Sequence, residues 1–142
     1  MKENIICSGA LFYSTSTKRF LFLQRTAEKT QGLWGLVGGR MRYTESAFDG
    51  LKREIEEEVS STPAFKKVIP LELFTSNDQK FFFHTYLIAI ESEFIPKLNS
   101  EHSGYCWCNF ECWPKNLHGG LRNTLNNKAI KGKLQTILDL IT

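Results

Sequence analysis

The chain has no hydrophobic run approaching the roughly 18 apolar residues that a membrane-spanning helix needs. A helical span is therefore excluded. After Lys2 and Glu3 comes a short apolar run, but Ser8, Gly9 and Tyr13 interrupt it, so no targeting signal is expected. Cysteine is sparse, with four residues at Cys7, Cys106, Cys108 and Cys112. Three of them cluster, yet the spacing is not a zinc pattern and no second pair completes one. Ordinary reduced thiols are expected, which fits a cytoplasmic protein. Excess charge of one sign is also lacking. Eighteen basic and fifteen acidic residues leave a net charge of +3. That is too weak to point to a nucleic-acid polymer, but a polyphosphate ligand needs only a few local basic groups. There is no internal repeat, linker or low-complexity segment.

What remains has the composition of one soluble domain, expected over residues 1–142, with 42% hydrophobic and 23% charged residues. Phenylalanine is common, with eleven residues, and suggests a sheet-rich core. Ile5 to Tyr13 reads as a strand, Ser14 to Thr17 as a turn, and Phe20 to Leu23 as a second strand buried on both faces. Trp34 to Val37 reads as a short strand leading into a tight turn at Gly38-Gly39. A helix follows from about Thr44, its expected N-cap, to Ser60, with Glu45 in its first turn. Val68 to Phe74 and Phe81 to Ile90 read as strands, the second central, with His84 a buried structural histidine. Tyr105 to Asn109 is a further strand, and Trp113 to Gly120 reads as loop. Ile130, Leu134, Ile137, Leu138 and Ile141 recur at helical spacing, so an amphipathic helix closes the chain. Strands divided by one helix and closed by another imply an α/β fold, a mixed sheet covered on both faces.

The densest acidic run lies in the first helix, where Glu54, Glu56, Glu57 and Glu58 fall within five positions. At about 100° per residue, Glu54, Glu57 and Glu58 share an arc of roughly 100°. Phe48, Leu51, Ile55 and Val59 fall beside that arc, so the acidic stripe borders the buried one. An ordinary solvated face would point away from it. Like charges at i,i+4, as in Glu54 and Glu58, cost a helix a few tenths of a kcal/mol. Such crowding suits a hard divalent cation that prefers oxygen ligands.

The spacing here is Gly39, five residues, Glu45, seven residues, then Arg53-Glu54-Ile55-Glu56-Glu57-Glu58. This resembles the signature box of the Nudix hydrolases, which split a nucleoside diphosphate linked to another group. Every charged position of the box matches. The end departs from it, with Ser60-Ser61 where the family has Gly and an aliphatic residue; Gly50 stands where a small residue, often Ala, is usual. A close packing contact is expected at Gly50, because a mid-helix glycine costs about 0.5–1 kcal/mol relative to alanine. The resemblance implies a Nudix fold, an α/β/α sandwich with a mixed sheet and a central acidic helix. It implies magnesium, with manganese as a substitute, held by Glu54, Glu57 and Glu58, with Gly39 lining the metal site through its backbone. Arg53 would orient Glu57 or Glu45.

Arg25, Arg40, Trp34 and Tyr105 are candidate substrate contacts, the arginines for phosphate and the aromatics for a base. In relatives the general base often lies on the loop before the strand that carries the tryptophan. Here that loop offers Glu101 and His102, only one of which is expected to reach the site, with Glu101 preferred. The family's Pro and Tyr substrate markers are missing from the region Ser76 to Gln79. Gln31 to Trp34 and Glu101 to Trp107 also resemble GDP-mannose hydrolases of the same superfamily, which attack the sugar carbon. The intact box favours attack at phosphorus. The expected function is magnesium-dependent cleavage of a pyrophosphate bond in a nucleotide sugar, dinucleoside polyphosphate or nucleoside triphosphate. The alternatives are a mannosyl hydrolase and a non-catalytic nucleotide-binding module. The expected partner is a nucleotide-derived small molecule, without membrane or nucleic acid, and a homodimer is compatible with this reading.

Overall fold

A computed structural model describes residues 4–141. Its centre is β1 (Ile5–Ser14), which pairs in parallel along its whole length with β6 (Phe81–Ile90). The other edge of β1 is shared by two antiparallel partners. Cys7 to Ala10 pair with β4 (Val37–Arg40), and Tyr13 and Ser14 pair with β2 (Arg19–Arg25). β2 also pairs with β3 (Trp34–Gly35) and with β7 (His102–Asn109). β5 (Phe65–Thr75) lies outside β6 and forms an edge, where Pro70 is tolerated.

Period-2 alternation sorts the core into two layers. Ala10, Phe12, Leu21, Leu23, Ile88 and Ile90 face α1 (Ala47–Val59) and pack with its Leu51, Ile55 and Val59. Leu11, Tyr13, Phe20, Phe22 and Leu87 face the opposite side. There they meet Leu125 of α2 (Gly119–Asn126) and Leu134 and Leu138 of α3 (Lys128–Ile141). This is the expected mixed sheet between helical layers.

Several boundaries differ from the expectation. Gly38 and Gly39 do not turn; they pair with Gly9 and Ser8 inside β4. The strand expected over 34–37 divides at Leu36 into β3 and the start of β4. The first helix is capped by Ser46, whose side chain accepts from Asp49 N at 3.1 Å. Thr44 is not the cap, and Glu45 lies outside the first turn because its carboxylate bonds Arg42 N at 2.8 Å and the Arg53 side chain. The helix ends without the family's glycine: Ser60 takes φ 66°, and its N–H bonds Glu56 O at 3.2 Å. Gly50 has the close contact expected of it, because an added Cβ would run into the sulfur of buried Met41. His84 is only half-buried and stacks on Tyr86. Gly119-Gly120 opens α2 instead of forming a loop. No helix among the described residues is long and apolar enough to cross a membrane.

Candidate active site

Helix α1 places Glu58 at the bottom of a cleft of about 360 Å³. The Glu58 carboxyl is buried and accepts from Gly38 N at 2.9 Å. Burial pushes its pKa up to about 9 against that hydrogen bond, and the nearby Glu54 and Glu101 carboxylates push the same way. Glu54 lies one turn earlier on the same wall. It needs Gly39 opposite it: a Cβ there would lie 2.7 Å from the carboxyl carbon of Glu54.

Arg53 acts as a clamp behind this wall. Its Nε and Nη2 donate to the two oxygens of Glu45 at 2.7 and 2.9 Å. Nη1 donates to Glu54 at 3.0 Å and to Glu57 at 3.3 Å, and Nη2 also reaches Arg40 O at 3.2 Å. Paired planar geometry of this kind is what guanidinium offers a carboxylate. It holds the Glu45 pKa down at about 2, helped by the Arg42 N–H. The same contacts raise the pKa of Arg53. Glu57 follows Glu54 by three positions on α1 and shares its Arg53 Nη1 contact. Its carboxylate turns to Arg53 and, at 3.7 Å, to Arg42, and it does not line the cleft.

The opposite wall comes from the loop entering β7. Asn99 ties that loop to the end of α1: its amide donates to Glu57 O at 2.9 Å, and its carbonyl accepts from Glu101 N at 2.9 Å. Thr26 fixes the same loop from β2, through Thr26 N to Glu101 O at 3.0 Å and its hydroxyl to Ser100 O at 2.6 Å. These anchors are absent from the sequence-based expectation, although an Asn two residues before a candidate base is a turn signal.

The β2–β7 register then shifts. Gln24 pairs with Gly104, but Arg25 pairs with His102, so Ser103 is an extra residue. Gly104 shares its side of β7 with Cys106 and Cys108, which face α2 and α3. Without the shift His102 would face that way too. The bulge turns it to the side of α1, which is how bulges re-aim a side chain. Glu101 and His102 therefore both reach the site, contrary to the expectation that only one would. A ring nitrogen of His102 and carboxylate oxygens of Glu58 and Glu101 lie within 4.8 Å of one another. His102 is 8% exposed and its Nδ1 has no hydrogen-bond partner. Burial and then the Arg25 charge lower its pKa, with Glu101 opposing.

Arg25 and Arg40 complete the rim. Arg25 Nε donates to the Thr30 hydroxyl at 3.0 Å. Arg40 also borders a second cleft, of about 300 Å³, with Met41, Arg42 and Tyr43. Trp34 and Tyr105 do not line the main cleft. Trp34 packs against the α2–α3 layer, and Tyr105 is exposed on β7 opposite Leu23. The cysteines are free, with the Cys106 and Cys108 sulfurs 3.5 Å apart and the Cys106 thiol pushed up to about 12, first by burial and then by Cys108.

Three carboxylates on one cleft, with Glu58 pushed up to about 9 first by burial and then by Glu54 and Glu101, fit a divalent cation beside a buried imidazole whose Nδ1 has no partner.

A mixed sheet between helical layers, with a carboxylate cleft at the end of the first helix, defines an α/β domain with an acidic cleft. The NUDIX domain family matches residues 6–127, and the chain belongs to the Nudix hydrolases, enzymes that act on nucleoside diphosphate derivatives and generally use divalent metals. Solved structures share the fold at low identity. A MutT NUDIX hydrolase from Burkholderia pseudomallei is 20% identical, with TM-score 0.67 over 89% of this chain and 99% of that one. A C. elegans Ap4A hydrolase is 19% identical, with TM-score 0.70 over 94% and 98%. The E. coli dihydroneopterin triphosphate pyrophosphohydrolase is 20% identical, with TM-score 0.65 over 95% and 99%. No curated protein sequence matches the chain.

Proposed function

We propose that this chain cleaves a pyrophosphate bond in a nucleoside diphosphate derivative by attack of water at phosphorus. One observation carries the reading. Glu54 and Glu58 from the helix and Glu101 from the loop converge on one cleft, with Arg25 and Arg40 at its rim. Glu54, Glu58 and Glu101 would hold magnesium or manganese, and the Gly39 backbone lines the same wall. A bound cation neutralises phosphate charge and lowers the pKa of water.

The chain's own groups supply the rest. Arg25 and Arg40 bind phosphate oxygens, since guanidinium matches their geometry. Arg53 touches no substrate; it fixes Glu54 and Glu57 from behind. Glu101 takes the proton from the attacking water, because a carboxylate beside cations serves as a base. The Asn99 and Thr26 hydrogen bonds hold it in place. Nucleotide sugars, dinucleoside polyphosphates and nucleoside triphosphates are the substrate classes, and the free thiols fit a cytoplasmic setting.

Screening the pure protein against such a panel with magnesium or manganese tests the reading. Release of nucleoside monophosphate or pyrophosphate, abolished by Glu54→Gln, is expected. Tight nucleotide binding without turnover would support a non-catalytic module instead.

A further inference from the structure

His102 occupies a position that a straight β7 would not give it. The Ser103 bulge moves its ring from the α2–α3 side of the sheet to the side of Glu58. There it is 8% exposed, and Nδ1 has no hydrogen-bond partner. Leaving a buried polar atom without a partner costs free energy, so such an atom calls for a reason. The charged neighbour across the strand pair, Arg25, directs its Nε to the Thr30 hydroxyl and gives Nδ1 no hydrogen bond. A ring nitrogen lies within 4.8 Å of carboxylate oxygens of both Glu58 and Glu101. That arrangement gathers one imidazole nitrogen and two carboxylates around one small volume.

We propose that His102, with Glu58 and Glu101, forms a mixed carboxylate–imidazole cation site that favours Mn²⁺ over Mg²⁺. Magnesium prefers all-oxygen octahedral coordination, whereas imidazole nitrogen suits first-row transition metals. His102 is then a ligand rather than a general base. This rests on the reading of the cleft as the divalent-cation site of a hydrolase.

The test is Mn²⁺ bound to the full-length, metal-stripped protein, read by pulsed electron paramagnetic resonance. Wild type is expected to show ¹⁴N coupling to Mn²⁺ that converts to ¹⁵N coupling in protein grown with ¹⁵N-histidine. His102→Gln is expected to lose the coupling and to bind MnCl₂ about 10–100-fold more weakly, with MgCl₂ affinity changing less. Mn²⁺ binding without nitrogen coupling in wild type overturns the proposal and leaves the hydrolase reading standing. No Mn²⁺ binding overturns both. Coupling that survives in His102→Gln moves the nitrogen to another residue and also overturns it. Should His102→Gln not fold, His84→Gln and His118→Gln decide the assignment. Retention of the coupling in both is expected, and its loss in either contradicts the role of His102.

Discussion

Arg53 grips Glu45 from eight residues away with two hydrogen bonds, 2.7 Å from Nε and 2.9 Å from Nη2. Those contacts shape the wall of the cleft before any substrate arrives. They fix the loop ahead of α1 and hold Glu54 and Glu57 on one guanidinium nitrogen. Lysine keeps the charge but loses the fork. Arg53→Lys is therefore expected to lower kcat by about 10-fold or more while KM changes less.

The same pair sets an acid limit on stability. Glu45 sits at about 2 in the folded protein against 4.5 for the free side chain. Its folded pKa is depressed, so its contribution is present above pH 4.5 and fades as pH falls toward 2. Thermal unfolding from pH 6 to 2 should show wild type losing stability more steeply than Arg53→Lys over that window. Parallel curves would contradict the clamp.

Glu58 acts in the opposite direction. In the metal-free protein its pKa is raised from 4.5 to about 9, so folding binds a proton that the unfolded chain releases. The carboxyl costs nothing below pH 4.5 and costs progressively more as pH rises toward 9. Gln keeps an oxygen for the Gly38 N–H. Glu58→Gln should therefore raise the Tm of metal-free protein at pH 8 and leave it nearly unchanged at pH 4. It should also reduce turnover by at least about 10²-fold. A Tm difference independent of pH would show that folding leaves the Glu58 pKa unshifted.

Asn99 is a positioning residue that joins the two walls. It bonds the helix end through Glu57 O and the loop through Glu101 N. Asn99→Ala is expected to lower kcat by about 10–100-fold, the usual cost of losing a supporting hydrogen bond. The KM should change less. A Tm loss with kcat intact would leave Asn99 a purely structural tie.

Gly50 within α1 and Ser60 at its C-cap act on stability in opposite directions. Ser60 holds φ 66° at the helix end, a conformation that glycine adopts without a Cβ penalty. Ser60→Gly should stabilise by about 0.5–1 kcal/mol in urea unfolding. Gly50→Ala should do the reverse despite better helix propensity. The methyl meets the Met41 sulfur, and overpacking costs about 1–3 kcal/mol. Stabilisation by Gly50→Ala would show that Met41 moves aside freely.

The parts of the fold legible in the sequence are those set by local pattern. Continuous apolar runs mark β1, β2 and β6, and the carboxylate spacing marks the helix and its exposed wall. α2 was hidden because it opens on two glycines and owes its place to Leu125 and Leu121 packing against the sheet. The Arg42 contact of Glu57 was hidden because Arg42 lies in the loop before the helix. Helical angles count only neighbours on the helix. The joint arrival of Glu101 and His102 was hidden for a third reason. It depends on one extra residue in a pairing between β2 and β7, which lie about eighty positions apart in register terms such as Arg25 with His102.

Hydrolysis in oxygen-18 water distinguishes attack at phosphorus from attack at carbon. A nucleotide sugar turned over by the wild-type protein should carry the label in a released phosphate, because water attacks phosphorus beside the Glu54, Glu58 and Glu101 carboxylates. Label in the released sugar would mean attack at carbon and would contradict pyrophosphate cleavage at phosphorus.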